Sequence, residues 1–148
     1  MTIIFIDANI FLEVELQQNQ AGVCKELLTF LETSSPCAWI NSFIVFSMVI
    51  TIQHKTQNMD KAKKLINILN SYTGLIVHSP NLSTVYEAIS EQEKNNLDFD
   101  DGLVIACMKE LGIQDIVTFD THFEDIPGIN KLSPSEALTD LKNQNQKK

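Results

Sequence analysis

The sequence predicts an α/β fold, a three-layer α/β/α sandwich with a central mostly parallel sheet. Three observations carry this. Short apolar runs stand at residues 3–6, 75–78 and 116–119 and read as strands, the first of them β-branched and without alternation, as expected of a strand buried on both faces. Longer segments between them repeat their apolar residues at helical spacing. The two kinds alternate along the chain, which is the pattern of strands joined by crossover helices.

Each element follows from its own residues. Ile3-Ile4-Phe5-Ile6 is the first strand, stopped by Asp7. Helical spacing runs from Phe11 to Leu16 and again from Val23 through Leu27, Leu28 and Leu31, with polar Gln17 to Gln20 as the turn between them. Ser34-Ser35-Pro36 breaks the second helix, and a short apolar piece follows from Cys37 to Ile40. Ser42 to Gln53 fits strand or helix by composition, and its length favours a buried helix. In the next helix Ala62, Leu65, Ile66 and Leu69 form one apolar stripe with Lys61, Lys63 and Lys64 mostly off it, and Gly74 closes it. Leu75-Ile76-Val77-His78 is a strand. Pro80-Asn81 leads into a helix bearing Val85, Ala88 and Ile89, which gives way to a polar connector from Glu91 to Asn96.

Leu97-Asp98-Phe99-Asp100-Asp101 opens a helix whose residues Leu103, Val104, Ala106, Cys107 and Leu111 are interrupted by few polar ones. It should lie deep in the fold, ended by Gly112. The strand Ile116-Val117-Thr118-Phe119 comes next, then Asp120, a loop through Pro127-Gly128, and a short apolar pair around Ile129. Ser133-Pro134-Ser135-Glu136 supplies an N-cap, Pro at the first helical position and Glu at the third, a capping box that starts the last helix. The expected organisation is one domain over residues 1–141 and a polar tail, residues 142–148, that frays.

Composition narrows the function. With 148 residues, 44% hydrophobic, the chain can bury roughly two-thirds of the surface it exposes when unfolded, enough for a core without disulfide or structural metal. Eleven basic residues, all Lys, stand against 19 acidic ones for a net charge of −8. That argues against general affinity for nucleic acid or anionic membrane. It leaves open a polyanionic substrate held through divalent cations, which invert the charge of an acidic site. Cys24, Cys37 and Cys107 show neither disulfide nor zinc spacing, and their thiols suit a reducing cytoplasm. No signal peptide or membrane span is expected, so the protein reads as cytoplasmic. There is no P-loop or G-x-G-x-x-G.

The acids carry the chemistry. Asp7 follows the first strand, Asp120 follows a late one, and Asp101 lies in the first turn of the buried helix before that strand. If the two strands are neighbours, all three carboxylates meet at the carboxyl end of the sheet, where α/β proteins place their sites. Three carboxylates there repel one another unless protonated or bridged by a cation. Hard oxygen donors suit Mg²⁺ or Mn²⁺. Taken singly, each Asp is equally a turn or helix cap, and Asp98 with Asp101 reads as an ordinary helix start. Their joint placement favours a site.

The sequence resembles the PIN domains, including VapC-type toxins of toxin–antitoxin pairs, in Ile4-Phe5-Ile6-Asp7-Ala8-Asn9-Ile10-Phe11, in Leu97-Asp98-Phe99-Asp100-Asp101-Gly102-Leu103-Val104-Ile105-Ala106, and in Ile116-Val117-Thr118-Phe119-Asp120-Thr121-His122-Phe123. The resemblance implies a metal-dependent endoribonuclease with Asp7, Asp101 and Asp120 as acids of the Mg²⁺ or Mn²⁺ site. It implies Asn9 and Thr118 as groups orienting ligands or water, RNA as substrate, a cognate antitoxin, and a homodimer. One departure stands out: the family's usual second acid, a Glu, falls at Ser47, with Phe46 and Met48 on either side. A second is Gly102, where Ala is commoner and helix propensity better by up to ~1 kcal/mol.

Three readings therefore compete. The first is the metal-dependent ribonuclease. The second is a catalytically degenerate domain that has lost hydrolysis through the Ser47 position and serves as an RNA-binding or protein-interaction module; against it, Asp98, Asp100, Glu124 and Asp125 lie close in sequence to the matched acids as candidates to compensate. The third is a haloacid-dehalogenase-like phosphatase, which needs a second Asp where Asn9 stands. His122 could touch phosphate, and Lys55, Lys61, Lys63 and Lys64 either guide RNA or form a solvated face. Trp39, Phe30, Phe43, Phe46 and Phe99 read as core or dimer surface.

Overall fold

The computed structural model describes residues 1–147. Five strands form one sheet: β1 (Ile4–Ile6), β2 (Ala38–Asn41), β3 (Leu75–His78), β4 (Asp115–Val117) and β5 (Asn130–Leu132). Their order is β3-β2-β1-β4-β5, and every neighbouring pair is parallel. All three residues of β1 are fully buried, and successive side chains leave a strand on opposite faces, so helices cover both sides of the sheet. These are α1 (Ala8–Glu15), α2 (Ala21–Thr33), α3 (Ser42–Thr56), α4 (Met59–Ser71), α5 (Leu82–Asn95), α6 (Phe99–Leu111) and α7 (Pro134–Asn145). α1 packs on α2 and α3, α3 on α4, α2 on α7, and α5 on α6.

Local chemistry explains the ends. Asn41, Asn58 and Asn81 cap α3, α4 and α5 through their side-chain oxygens, and Ser133 with Glu136 closes the expected capping box on α7. Gly112 ends α6 at φ 70°, a left-handed conformation that costs glycine little. α6 is buried without interruption from Asp101 to Met108, the deep helix its composition predicts.

Several elements differ from the sequence reading. The polar stretch from Glu91 is no connector: α5 continues through Asn95, and Asn96 caps it in the left-handed region. Glu91 is buried there because Lys109 of α6 donates to one of its carboxylate oxygens and Asn95 to the other, at 3.0 Å. Paired charge inside a helix interface looks like loop composition in one dimension. Ile66 and Ile89 face outward instead of joining the apolar stripes. α4 stops at Ser71, before Gly74, whose lack of Cβ is used otherwise: a Cβ there would stand 2.1 Å from Ser34 Oγ. The apolar pair around Ile129 leads into β5, a polar edge strand of three residues that pattern alone does not reveal. α7 runs through Asn145, with the Gln144 amide donating to the Thr2 hydroxyl, so residues 142–145 are helical. Lys148, the last residue of the expected tail, lies outside the described residues.

Candidate active site between β1 and β4

The strand order places a topological switch point between β1 and β4, because the chain leaves β1 towards β2 and β3 and then returns to lay β4 on the opposite side. Helices then leave neighbouring strands in opposite directions, which opens a crevice at their carboxyl ends. The register Ile4↔Asp115, Phe5↔Ile116 and Ile6↔Val117 brings Asp7 and Thr118 level at that crevice, and the Asp7 N–H donates to Val117 O at 3.1 Å.

Asp7 is held from several sides. Its Oδ1 accepts from the Ala8 N–H at 2.7 Å, capping α1, and its Oδ2 accepts from the Thr118 hydroxyl at 2.7 Å and the Asn9 amide at 3.2 Å. The Asn9 amide also donates to Thr118 Oγ1 at 3.2 Å, and the Asp120 N–H donates to the same oxygen at 3.0 Å. Thr118, itself buried, thus ties the first acid to the last. Asn9 Oδ1 is buried without a hydrogen-bond partner.

Asp120 accepts from the His122 N–H at 2.9 Å, opening the 3₁₀ turn Thr121–Phe123. The His122 ring folds back so that Nδ1 stands 3.2 Å from Asp120 Oδ1 and 3.3 Å from Asp101 Oδ2. Donor atoms of Asp101, Asp120 and His122 all lie within 4.8 Å of one another. The capping roles of Asp7 and Asp120 and their convergence are therefore compatible, since one carboxylate oxygen can cap while the group keeps further lone pairs.

Electrostatics mark the same place. Burial raises the Asp101 pKa to about 6, with the charges of Asp100 and Asp120 adding to it. Asp7 is also raised, by burial first, partly offset by the Thr118 and Ala8 hydrogen bonds. His122 is raised, chiefly by its hydrogen bond to Asp101. A carboxylate set that holds protons above its ordinary range is one whose repulsion a divalent cation would relieve. Oxygen donors from Asp101 and Asp120, with Asp7 alongside and an unpaired amide oxygen on Asn9, fit a hard or borderline divalent ion.

The other candidates fall elsewhere. α3 contains no Asp or Glu, and half-buried Ser47 on it forms no side-chain hydrogen bond that would offset this among the described residues. Glu124 pairs with Lys131 at 3.0 Å and lines with Thr118 a cavity that includes none of Asp7, Asp101 and Asp120. Asp98 sits at the N-cap position of α6, yet its side chain makes no capping bond; its charge acts on His122 instead. Lys61 and Lys64 flank Glu15 on α1 and line a cavity with Val14 and Lys25 that includes none of the site acids. His122 was legible in sequence only as a group near phosphate. What sequence spacing does not reveal is the turn that folds its ring onto two carboxylates.

The PIN domain family matches residues 4–129. The chain belongs to the PIN domain family. Solved structures share the fold of this PIN domain at low sequence identity. The VapC20 sarcin–ricin-loop-cleaving toxin of Mycobacterium tuberculosis aligns with a TM-score of 0.66 at 18% identity, covering 80% of this chain and 90% of the toxin. The DNA-bound VapBC of Salmonella typhimurium aligns at 0.68 with 14% identity over 90% of this chain and 99% of that one. A toxin–antitoxin complex from Klebsiella pneumoniae aligns at 0.65 with 14% identity over 90% and 98%. No curated protein matches the PIN domain described here in sequence.

Proposed function

We propose that this PIN domain is a divalent-metal-dependent endoribonuclease of toxin type. The observation that carries the reading is the approach of Asp101 and Asp120, with ligand atoms within 4.8 Å of each other, while Asp7 at the end of β1 is linked to Asp120 through Thr118 and both Asp7 and Asp101 are pushed above the ordinary carboxylate range chiefly by burial. Family membership and the toxin folds it shares support it.

Asp7, Asp101 and Asp120 would hold the cation, Mg²⁺ or Mn²⁺. Bound there, the ion would supply positive charge to draw a phosphodiester to an acidic protein and would lower the pKa of water so that hydroxide is available as the nucleophile. The chain's own groups do the rest. Thr118 and the Ala8 N–H fix both oxygens of Asp7, so its orientation is set before substrate arrives. Asn9 spends its amide protons on Asp7 and Thr118, holding the two in place, and its buried Oδ1 has no partner. The rigid, buried start of α6 keeps Asp101 in register with both.

The reading includes a cognate antitoxin, supported by neighbours that are themselves toxin–antitoxin complexes, and a homodimer in the cytoplasm. Exposed apolar residues at helical spacing on α3 (Phe46, Ile50) and α5 (Leu82, Tyr86, Ile89) support pairing. A second reading, the degenerate module, rests on one fact: α3 brings no carboxylate to the site.

One experiment separates them. Purified protein is assayed on RNA with Mg²⁺ or Mn²⁺, alongside Asp7→Asn and Ser47→Glu. Ribonuclease function predicts metal-dependent cleavage that falls at least about a hundredfold in Asp7→Asn. Absence of cleavage in the natural chain with a large gain in Ser47→Glu supports the module, and cleavage indifferent to Asp7→Asn contradicts the proposal.

A further inference from the structure

The acidic site lacks a donor from α3, and a histidine ring stands against the acids that remain. His122 is largely exposed, with 60% of its side chain accessible, so packing does not confine the ring. Two carboxylates and the turn hold it: its N–H is bonded to Asp120, and its Nδ1 sits 3.2 Å from Asp120 and 3.3 Å from Asp101. Adjacent donors around a six-coordinate ion with bonds of about 2.1–2.3 Å lie about 3.0–3.3 Å apart. The two separations match that spacing. Asn9 Oδ1, on the residue whose amide donates to Asp7, is a buried oxygen left without a partner.

We propose that His122 is a nitrogen ligand to the divalent cation, standing in for the carboxylate that α3 does not provide, and that it makes the site select Mn²⁺ over Mg²⁺. The inference rests on the reading that Asp101 and Asp120 hold a cation. Mg²⁺ is confined to oxygen donors and sheds water reluctantly, whereas an imidazole nitrogen beside carboxylates suits first-row transition ions. A neutral nitrogen also adds a ligand without adding repulsion to acids already crowded.

The test uses the full chain with Mn²⁺ or Mg²⁺ alone. Calorimetry gives both affinities, and electron spin-echo spectroscopy of bound Mn²⁺ reads nitrogen coupling from a directly ligated ring. The natural chain should show that coupling. His122→Gln should lose it while the Mn²⁺/Mg²⁺ affinity ratio falls about tenfold. His122→Asp should recover Mg²⁺ affinity with no coupling, and because the ring is largely exposed His122→Gln should remain folded without metal, checked by thermal unfolding. Mn²⁺ that binds without nitrogen coupling, yet is lost in Asp101→Asn, overturns the ligand role and leaves the cation reading intact. Mn²⁺ that does not bind, or binds indifferently to Asp101→Asn and Asp120→Asn, overturns both.

Discussion

At the scale of single residues, the site is a set of acids whose cost is visible in their protonation. Asp101 titrates near pH 6 in the folded chain against 3.8 ordinarily, so the native state binds a proton more tightly than the unfolded one. The stabilisation this gives is complete below the unfolded pKa, near 4, and is lost as pH rises through about 6. The raised pKa of His122 acts in the same direction. Metal-free protein should therefore be more stable at pH 5 than at pH 7.5, and Asp101→Asn should raise its stability at pH 7.5 by on the order of 1 kcal/mol while abolishing cation binding. Urea unfolding in chelator checks both; a variant less stable than the natural chain at that pH would show that Asp101 is structural. The places of Asp7 and Asp120 after β1 and β4 and of Asp101 in the first turn of α6 were readable from the sequence because each borders an apolar run; their role as cation ligands is the proposal. The fold of the His122 ring onto Asp101 was not readable there, since it depends on a contact between residues 21 apart that only the turn after Asp120 creates.

At the scale of elements, the packing of α5 on α6 decides where Asp101 stands. By helix propensity alone Gly102 should be improved by Ala. The structure reverses that expectation, because a Cβ at Gly102 would stand 2.6 Å from the Ala88 carbonyl oxygen and 2.9 Å from Gln92 Cγ. Gly102→Ala should cost about 1–3 kcal/mol in stability and weaken cation binding by displacing the start of α6, measurable by denaturant unfolding and Mn²⁺ titration. A neutral or stabilising effect would contradict this account of the interface. The same interface explains the largest misreading of the chain: Glu91 is buried against α6 by pairing with Lys109, so a segment polar enough for a connector is the last turn of α5, with Glu93 and Lys94 on its exposed side. β5 escaped for the opposite reason. Asn-Lys-Leu at a sheet edge carries little hydrophobic pattern, and its place is set by pairing with β4. The strands β1 and β4 and the helix α6 were legible because burial leaves an unbroken apolar run, whereas β3 keeps an apolar run at the sheet edge with Val77 exposed.

At the scale of the whole molecule, a parallel sheet of order β3-β2-β1-β4-β5 leaves one switch crevice, and the acids occupy it. If RNA is the substrate as proposed, a net charge of −8 makes its unassisted approach unfavourable, so the proposal requires the cation for substrate binding. The exposed α3 and α5 residues, with Leu82 87% and Phe46 61% accessible, predict a dimer by sedimentation at micromolar concentration; a monomer at that concentration would refute the pairing. The central claim is that Asp7, Asp101 and Asp120 form one cation site, and crystals soaked in Mn²⁺ test it most directly. The account predicts an anomalous peak about 2.0–2.6 Å from carboxylate oxygens of Asp101 and Asp120, with Asp7 in the same coordination sphere directly or through one water. A crystal saturated with Mn²⁺ that shows no peak between these side chains, or a peak bound only elsewhere, would contradict it.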